Sequence, residues 1–167
     1  RQAFGDSDDA VSRRNAGLAI AAFERTLLAN ESPFQMWLRG NRAAMTARQI
    51  DGALVFFSEK AGCASCHAGP ALNSKTFHAL GMGDLDDSFD SRVAGTVPER
   101  TRLGRGGFTG RDSDRFTFKT PQLYNLVDSP FYGHGATFST VEDVVRYKNA
   151  GIPHKAVDNL SPLFRPL

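Results

Sequence analysis

The sequence predicts an all-α fold in which a few helices enclose a long irregular segment. Three observations carry that reading. Three stretches show the apolar spacing and terminal residues of helices, about seventy residues between the second and third show no period, and 41% apolar side chains over 167 residues suffice for one compact domain. Ten of the 16 glycines and four of the eight prolines fall between His67 and Ser139. An irregular stretch of that length inside a compact domain argues for a bound group that it wraps.

The first helix is expected from about Asp9 to Leu28, where Ile20, Phe23, Leu27 and Leu28 recur on one face, with Asn30, Ser32 and Pro33 ending the pattern. The second opens at Thr46, which forms a capping box with Gln49. It carries the stripe Ile50, Leu54 and Phe57 and is expected to close at a Gly62 cap, delivering the chain into Cys63. The third starts at Ser139 or Thr140, each followed three residues later by an acid, and runs through Val144 and Val145 to Gly151 and Pro153.

The formal net charge of +2 excludes the electrostatic footprint of a nucleic-acid or anionic-membrane binder. Thirteen phenylalanines exclude a disordered chain. The longest apolar run, Ala16 to Phe23, is too short to span a bilayer, so no membrane span is expected. Arg13 and Arg14 precede that run, but no small-residue cleavage site follows, which argues against an export signal there. Because the first residue is Arg rather than Met, the chain is expected to be processed or cut from a longer one.

The chemistry concentrates in Cys63-Ala64-Ser65-Cys66-His67. Two thiols three positions apart lie on the same side of one helical turn and can both add to vinyl groups on one porphyrin edge. The adjacent imidazole then meets the iron. This is the attachment pattern of haem c, and it predicts one covalent haem held by Cys63 and Cys66 with His67 as proximal ligand. A redox disulfide would not need His67. A zinc site would need a further ligand, and His78, His134 and His154 form no second cluster with ligand spacing. The fold class is then an all-α, cytochrome c-like domain with the long irregular loop wrapped around one haem c. The expected organisation is an N-terminal helix and linker over 1–45 and the haem domain over 46–167.

Several segments resemble, in order and spacing, the C-terminal half of the bacterial dihaem cytochrome c peroxidases and MauG-type proteins. They are Ala19 to Leu28, Gly62 to Pro70, Thr120 to Leu126, Ser129 to Gly135, Val141 to Gly151 and Leu160 to Leu167. The resemblance implies a two-domain periplasmic oxidoreductase with one haem c per domain, in which the N-terminal haem meets peroxide and the C-terminal haem relays electrons or shares oxidising equivalents. It also implies a small electron carrier (a cytochrome c or cupredoxin) or a protein substrate as partner, a calcium ion held between domains by backbone carbonyls near Thr120 and Pro121, and a homodimer. Only one attachment motif is present here, so the peroxide-binding haem domain is expected to be missing, along with the family's last helix beyond Leu167.

The resemblance also bears on the sixth iron ligand, since family members carry Met or Tyr in the helix after the long loop. Tyr147 stands in that region and is the expected distal ligand. A one-residue slip would place Lys148 there instead. The two side chains project about 100° apart on a helix, so only one can serve. Stripe arithmetic favours Lys148, which continues Val141, Val144 and Val145. His134, between Gly133 and Gly135, and Met82, between Gly81 and Gly83, remain as alternatives. Arg102, Arg105 and Lys119 could neutralise haem propionates. Trp37 does not correspond to the tryptophan that bridges the family's haems and is expected to pack. The function implied is the electron-relay half of a dihaem peroxidase or MauG-like oxidase in the periplasm. The alternative is a stand-alone monohaem electron-transfer cytochrome without catalysis.

Overall fold

The computed structural model describes residues 3–5, 10–84 and 98–166. They fall into two compact units, Arg1–Asn41 and Arg42–Leu167.

In the first unit, helix α1 spans Arg13–Glu24. Ser12 caps it by accepting from the Asn15 amide. Asp9, the start expected from sequence, lies outside the described residues, and Leu27 and Leu28 lie beyond the helix end. A second helix, α2, spans Pro33–Leu38 where the sequence reading placed only a stop. Ser32 caps it, with Gln35 completing the box and Pro33 at the first helical position. The physical reason is an ambiguity of sign. Ser-Pro ends one helix and opens the next equally well, because proline's fixed φ and missing N–H are tolerated in a first turn. Trp37 is half-buried on α2.

The second unit opens with α3, Ala47–Phe57. The expected capping box is present: Thr46 Oγ1 accepts from the Gln49 amide, and Gln49 Oε1 accepts from the Thr46 amide at 2.8 Å. Replacing Thr46 with alanine should therefore cost about 1 kcal/mol, read as a lowered denaturant midpoint at unchanged slope. The helix ends at Ser58, four residues before the expected Gly62 cap. Gly62 instead takes a left-handed conformation (φ 62°) that starts the short 3-10 turn Cys63–Ser65, so the residue turns the chain into the motif rather than closing the helix.

The long middle segment is not wholly irregular. It contains α4 (Glu99–Arg102), α5 (Arg105–Thr109) and a two-stranded antiparallel sheet, so the fold is mostly helical rather than all-α. Strand β1 (Phe77–His78) pairs with β2 (Phe118–Lys119) in the register Phe77 to Lys119 and His78 to Phe118. Two-residue strands have no readable period, and their pairing joins segments about forty residues apart. The last helix, α6, spans Val141–Ala150 between its Thr140 cap and a left-handed Gly151 at φ 60°. Thr140, not Ser139, supplies the side chain that accepts from the Asp143 amide.

The hydrophobic core of this unit is small. Phe138, Tyr147 and Phe164 are buried together, with Leu80, Met82, Tyr132, Val144 and Leu160 packed against them. Tyr147 lies 5.0 Å from the Phe164 ring and 5.3 Å from that of Phe138, and its hydroxyl donates to the Leu80 carbonyl at 2.7 Å. Truncating it to alanine should cost about 3–5 kcal/mol, whereas Tyr147→Phe, which removes only the hydrogen bond, should cost about 1 kcal/mol. Calorimetry of the two variants checks that ranking. Large apolar side chains on α3 and α6 stay exposed: Leu54 is 67% and Val55 59% exposed, and Val145 58%.

Candidate haem-binding site

The turn that follows Gly62 is closed by the Cys66 amide donating to the Cys63 carbonyl at 3.2 Å and the His67 amide donating to the same oxygen at 2.9 Å. One tight turn therefore carries both thiols and the imidazole. Both cysteines are free and partly buried. The Cys63 thiol donates to the Ala61 carbonyl at 3.6 Å, and Cys66 Sγ lies 3.5 Å from His78 Nε2.

His67 is positioned by its own loop. Nδ1 donates to the Leu72 carbonyl at 2.9 Å, and Leu72 holds that carbonyl in place from a left-handed backbone (φ 48°) that a leucine adopts only under tertiary constraint. A neutral ring protonated at Nδ1 presents Nε2 as its lone-pair donor. Burial keeps the His67 ring below the ordinary histidine range, with the Lys148 charge acting in the same sense and the Leu72 and Pro121 carbonyls opposing it. The neutral form is the one that ligates metals. The Phe56 ring on α3 stands 6.4 Å from the imidazole.

Lys148 lies within electrostatic reach of this cluster. Its ammonium sits 4.9 Å over the Phe164 ring, and its charge acts on Cys66, His67 and His78. Burial drives the lysine below its usual range, while Cys66 and Cys63 act in the opposite sense. Burial likewise pushes the Cys66 thiol up, with Lys148 opposing it.

The other residues singled out in the sequence are placed elsewhere. Tyr147 is in the core with its hydroxyl on Leu80, as above. His134 is stacked on Phe118 with ring centres 3.6 Å apart, and its Nε2 lies 3.0 Å from Asp84 Oδ1. Met82 packs against the core cluster. His134, Met82 and Phe118 line a cavity of about 210 Å³ together with Asp84, Glu99 and Arg102. Of the three cations considered for propionates, Arg102 lies 3.7 Å from Asp84, Arg105 lies 3.4 Å from Asp114, and Lys119 donates to the Thr120 carbonyl.

Sequence reasoning did not bring His78 to Cys66. His78 stands on β1, and its other ring nitrogen, Nδ1, is 3.2 Å from the Ser161 hydroxyl. No local signal announces such a contact. Even with His78 beside the thiols, no group of three His, Cys, Asp or Glu side chains able to hold a metal ion exists among the described residues.

The donor set fits a haem c. It offers two free thiols on one turn, an imidazole held through Nδ1, and exposed apolar side chains on α3 and α6.

A mostly helical fold carrying a haem c attachment motif is the class these observations outline, and comparison with known proteins narrows it. The family model for di-haem cytochrome c peroxidase matches residues 1–43. The cytochrome c peroxidase Ccp of Escherichia coli K12 is 34% identical over 154 residues, covering 89% of this chain and 31% of its own length. The methylamine utilization protein MauG of Methylorubrum extorquens is 33% identical over 147 residues, covering 87% of this chain and 37% of its own. A crystal structure of a MauG-like protein associated with microbial copper homeostasis superposes with a TM-score of 0.69 at 25% identity, covering 96% of this chain and 53% of that one.

Over nearly nine tenths of its length the chain is thus similar to dihaem cytochrome c peroxidases and MauG proteins. It spans about a third of the length of these two curated relatives. Among the described residues, no helix is long and apolar enough to cross a membrane.

Proposed function

We propose that this chain is the electron-relay haem c domain of a periplasmic dihaem peroxidase or MauG-like oxidase. Cys63 and Cys66 carry the thioethers and His67 Nε2 meets the iron. The observation that carries the reading is the pairing of two free thiols with an imidazole whose other nitrogen is held by the Leu72 carbonyl at 2.9 Å. Bound haem c supplies a one-electron iron couple.

The chain's own residues set the conditions for that couple. Leu72 fixes the tautomer and plane of His67. Leu54 and Val55 on α3 and Val141 and Val145 on α6 are exposed apolar side chains that would give the haem cover and limit water. The stacked pair of His134 and Phe118 holds the loop between Tyr132 and Phe138, whose ends pair as an antiparallel bridge.

In this reading the peroxide-reactive haem belongs to a separate N-terminal domain, and a cytochrome c, a cupredoxin or a protein substrate exchanges electrons with the pair. A calcium ion near Thr120 and Pro121 belongs to the same proposal. Intact mass and the absorption spectrum of the full chain, matured where cytochromes c are assembled, test it. The expected result is one covalent porphyrin with a Soret band and slow peroxide turnover by this chain alone. Bare thiols would overturn the haem reading, and rapid peroxide turnover would overturn the relay role.

A further inference from the structure

We propose that Lys148, as its neutral amine, is the second axial ligand of the iron, opposite His67. The inference rests on the haem reading above and concerns only this chain's residues.

Helix α6 presents two faces. One carries Val144 and Tyr147 into the core with Phe138 and Phe164. The other carries Val141, Val145 and Lys148, at spacings of four and three residues, within about 60° of arc. On that second face Val141 and Val145 are exposed, and only Lys148 reaches the core, at the Phe164 ring. An apolar, solvent-facing stripe ending in a lysine on the side of the haem-attachment motif is the side of α6 suited to cover a flat cofactor.

Tyr147 is committed elsewhere. Its hydroxyl donates to the Leu80 carbonyl at 2.7 Å, and its ring packs between Phe164 and Phe138 and against His154. Turning that oxygen to an iron on the other face would break the bond and empty the core position. His134 is bound to Asp84 and stacked on Phe118, and Met82 is packed against the core, so neither is free to move without loss.

Among the described residues, Lys148 is held by a ring contact rather than by a hydrogen bond or a place in the core cluster. Its side chain runs along the Phe164 ring, its charge reaches both cysteines and both nearby histidines, and no carboxylate pairs with it among the described residues. Coordination is balanced simply. The ammonium releases one proton to solvent, the amine lone pair forms the bond to iron, and no electron is transferred.

The test uses the full, haem-loaded chain and its Lys148→Ala, Lys148→Met and Tyr147→Phe variants. Mass spectrometry of each first establishes that haem is covalently attached, and electron paramagnetic resonance and absorption then report spin state and ligand type. The wild type and Tyr147→Phe should both be predominantly low-spin with nitrogen ligation. Lys148→Ala should become predominantly high-spin, and Lys148→Met should show thioether ligation with a raised reduction potential. Lys148 variants that carry haem but keep the wild-type spectrum would overturn the proposal while leaving the haem reading intact. So would a wild type that is high-spin, or a Tyr147→Phe spectrum that turns high-spin. A wild type without covalent haem would overturn both.

Discussion

Replacing Cys63 and Cys66 together with serine should remove essentially all covalent haem, leaving less than about a tenth of the wild-type content by mass and by Soret absorbance. A hydroxyl does not form the thioether that a thiol makes with a vinyl group, and His67 alone would hold the group only by a reversible bond. The expected consequence extends to the fold. Without the porphyrin, Leu54, Val55, Val141 and Val145 face water, and the buried core reduces to Phe138, Tyr147 and Phe164 with their neighbours. The double variant should therefore bind a hydrophobic dye more strongly and lose sharp near-ultraviolet circular dichroism. Each single variant should keep one thioether and an intermediate haem yield. Wild-type haem content in the double variant would contradict the assignment of these thiols.

Replacing Gly151 with alanine should destabilise the protein by about 2 kcal/mol or more, lowering the melting temperature by about 4 °C or more. Gly151 ends α6 in a left-handed conformation, with its amide donating to the Tyr147 carbonyl at 3.2 Å. A Cβ added there would collide with the backbone of Arg165 and Pro166. Gly110 offers an internal control. It is also left-handed, at φ 70°, but an added Cβ would meet nothing within 4 Å. Gly110→Ala should show only the conformational cost, about 1 kcal/mol. Equal melting temperatures for the two variants would show that the contact of the α6 end with the C-terminal segment contributes nothing. Because Lys148 lies one turn before Gly151, the same variant should also broaden the spin-state signal of the loaded protein if α6 positions an axial ligand.

The local features of this protein were legible without a structure because each is written within four or five residues. Thr46 with Gln49, Thr140 with Asp143, and the Cys63 to His67 pentapeptide all state their chemistry at short range. Reading failed where one signal has two meanings, as at Ser32-Pro33, which opens α2 rather than merely ending α1. It failed again where a glycine had two possible uses, as at Gly62, which turns the chain into the motif four residues after α3 has ended.

The sequence by itself determined that a covalent haem motif follows a capped helix and that a helix bearing both Tyr147 and Lys148 returns near the chain's end. Only the tertiary structure decided which contacts those residues make. His78 came to lie beside Cys66, the left-handed Leu72 aimed its carbonyl at His67, and the Leu80 carbonyl took the Tyr147 hydroxyl while the Lys148 charge came to act on the thiols. The reason is physical. Capping and thioether chemistry act between neighbours along the chain, whereas a side chain's hydrogen-bond partner across sixty residues exists only once the chain between them has folded.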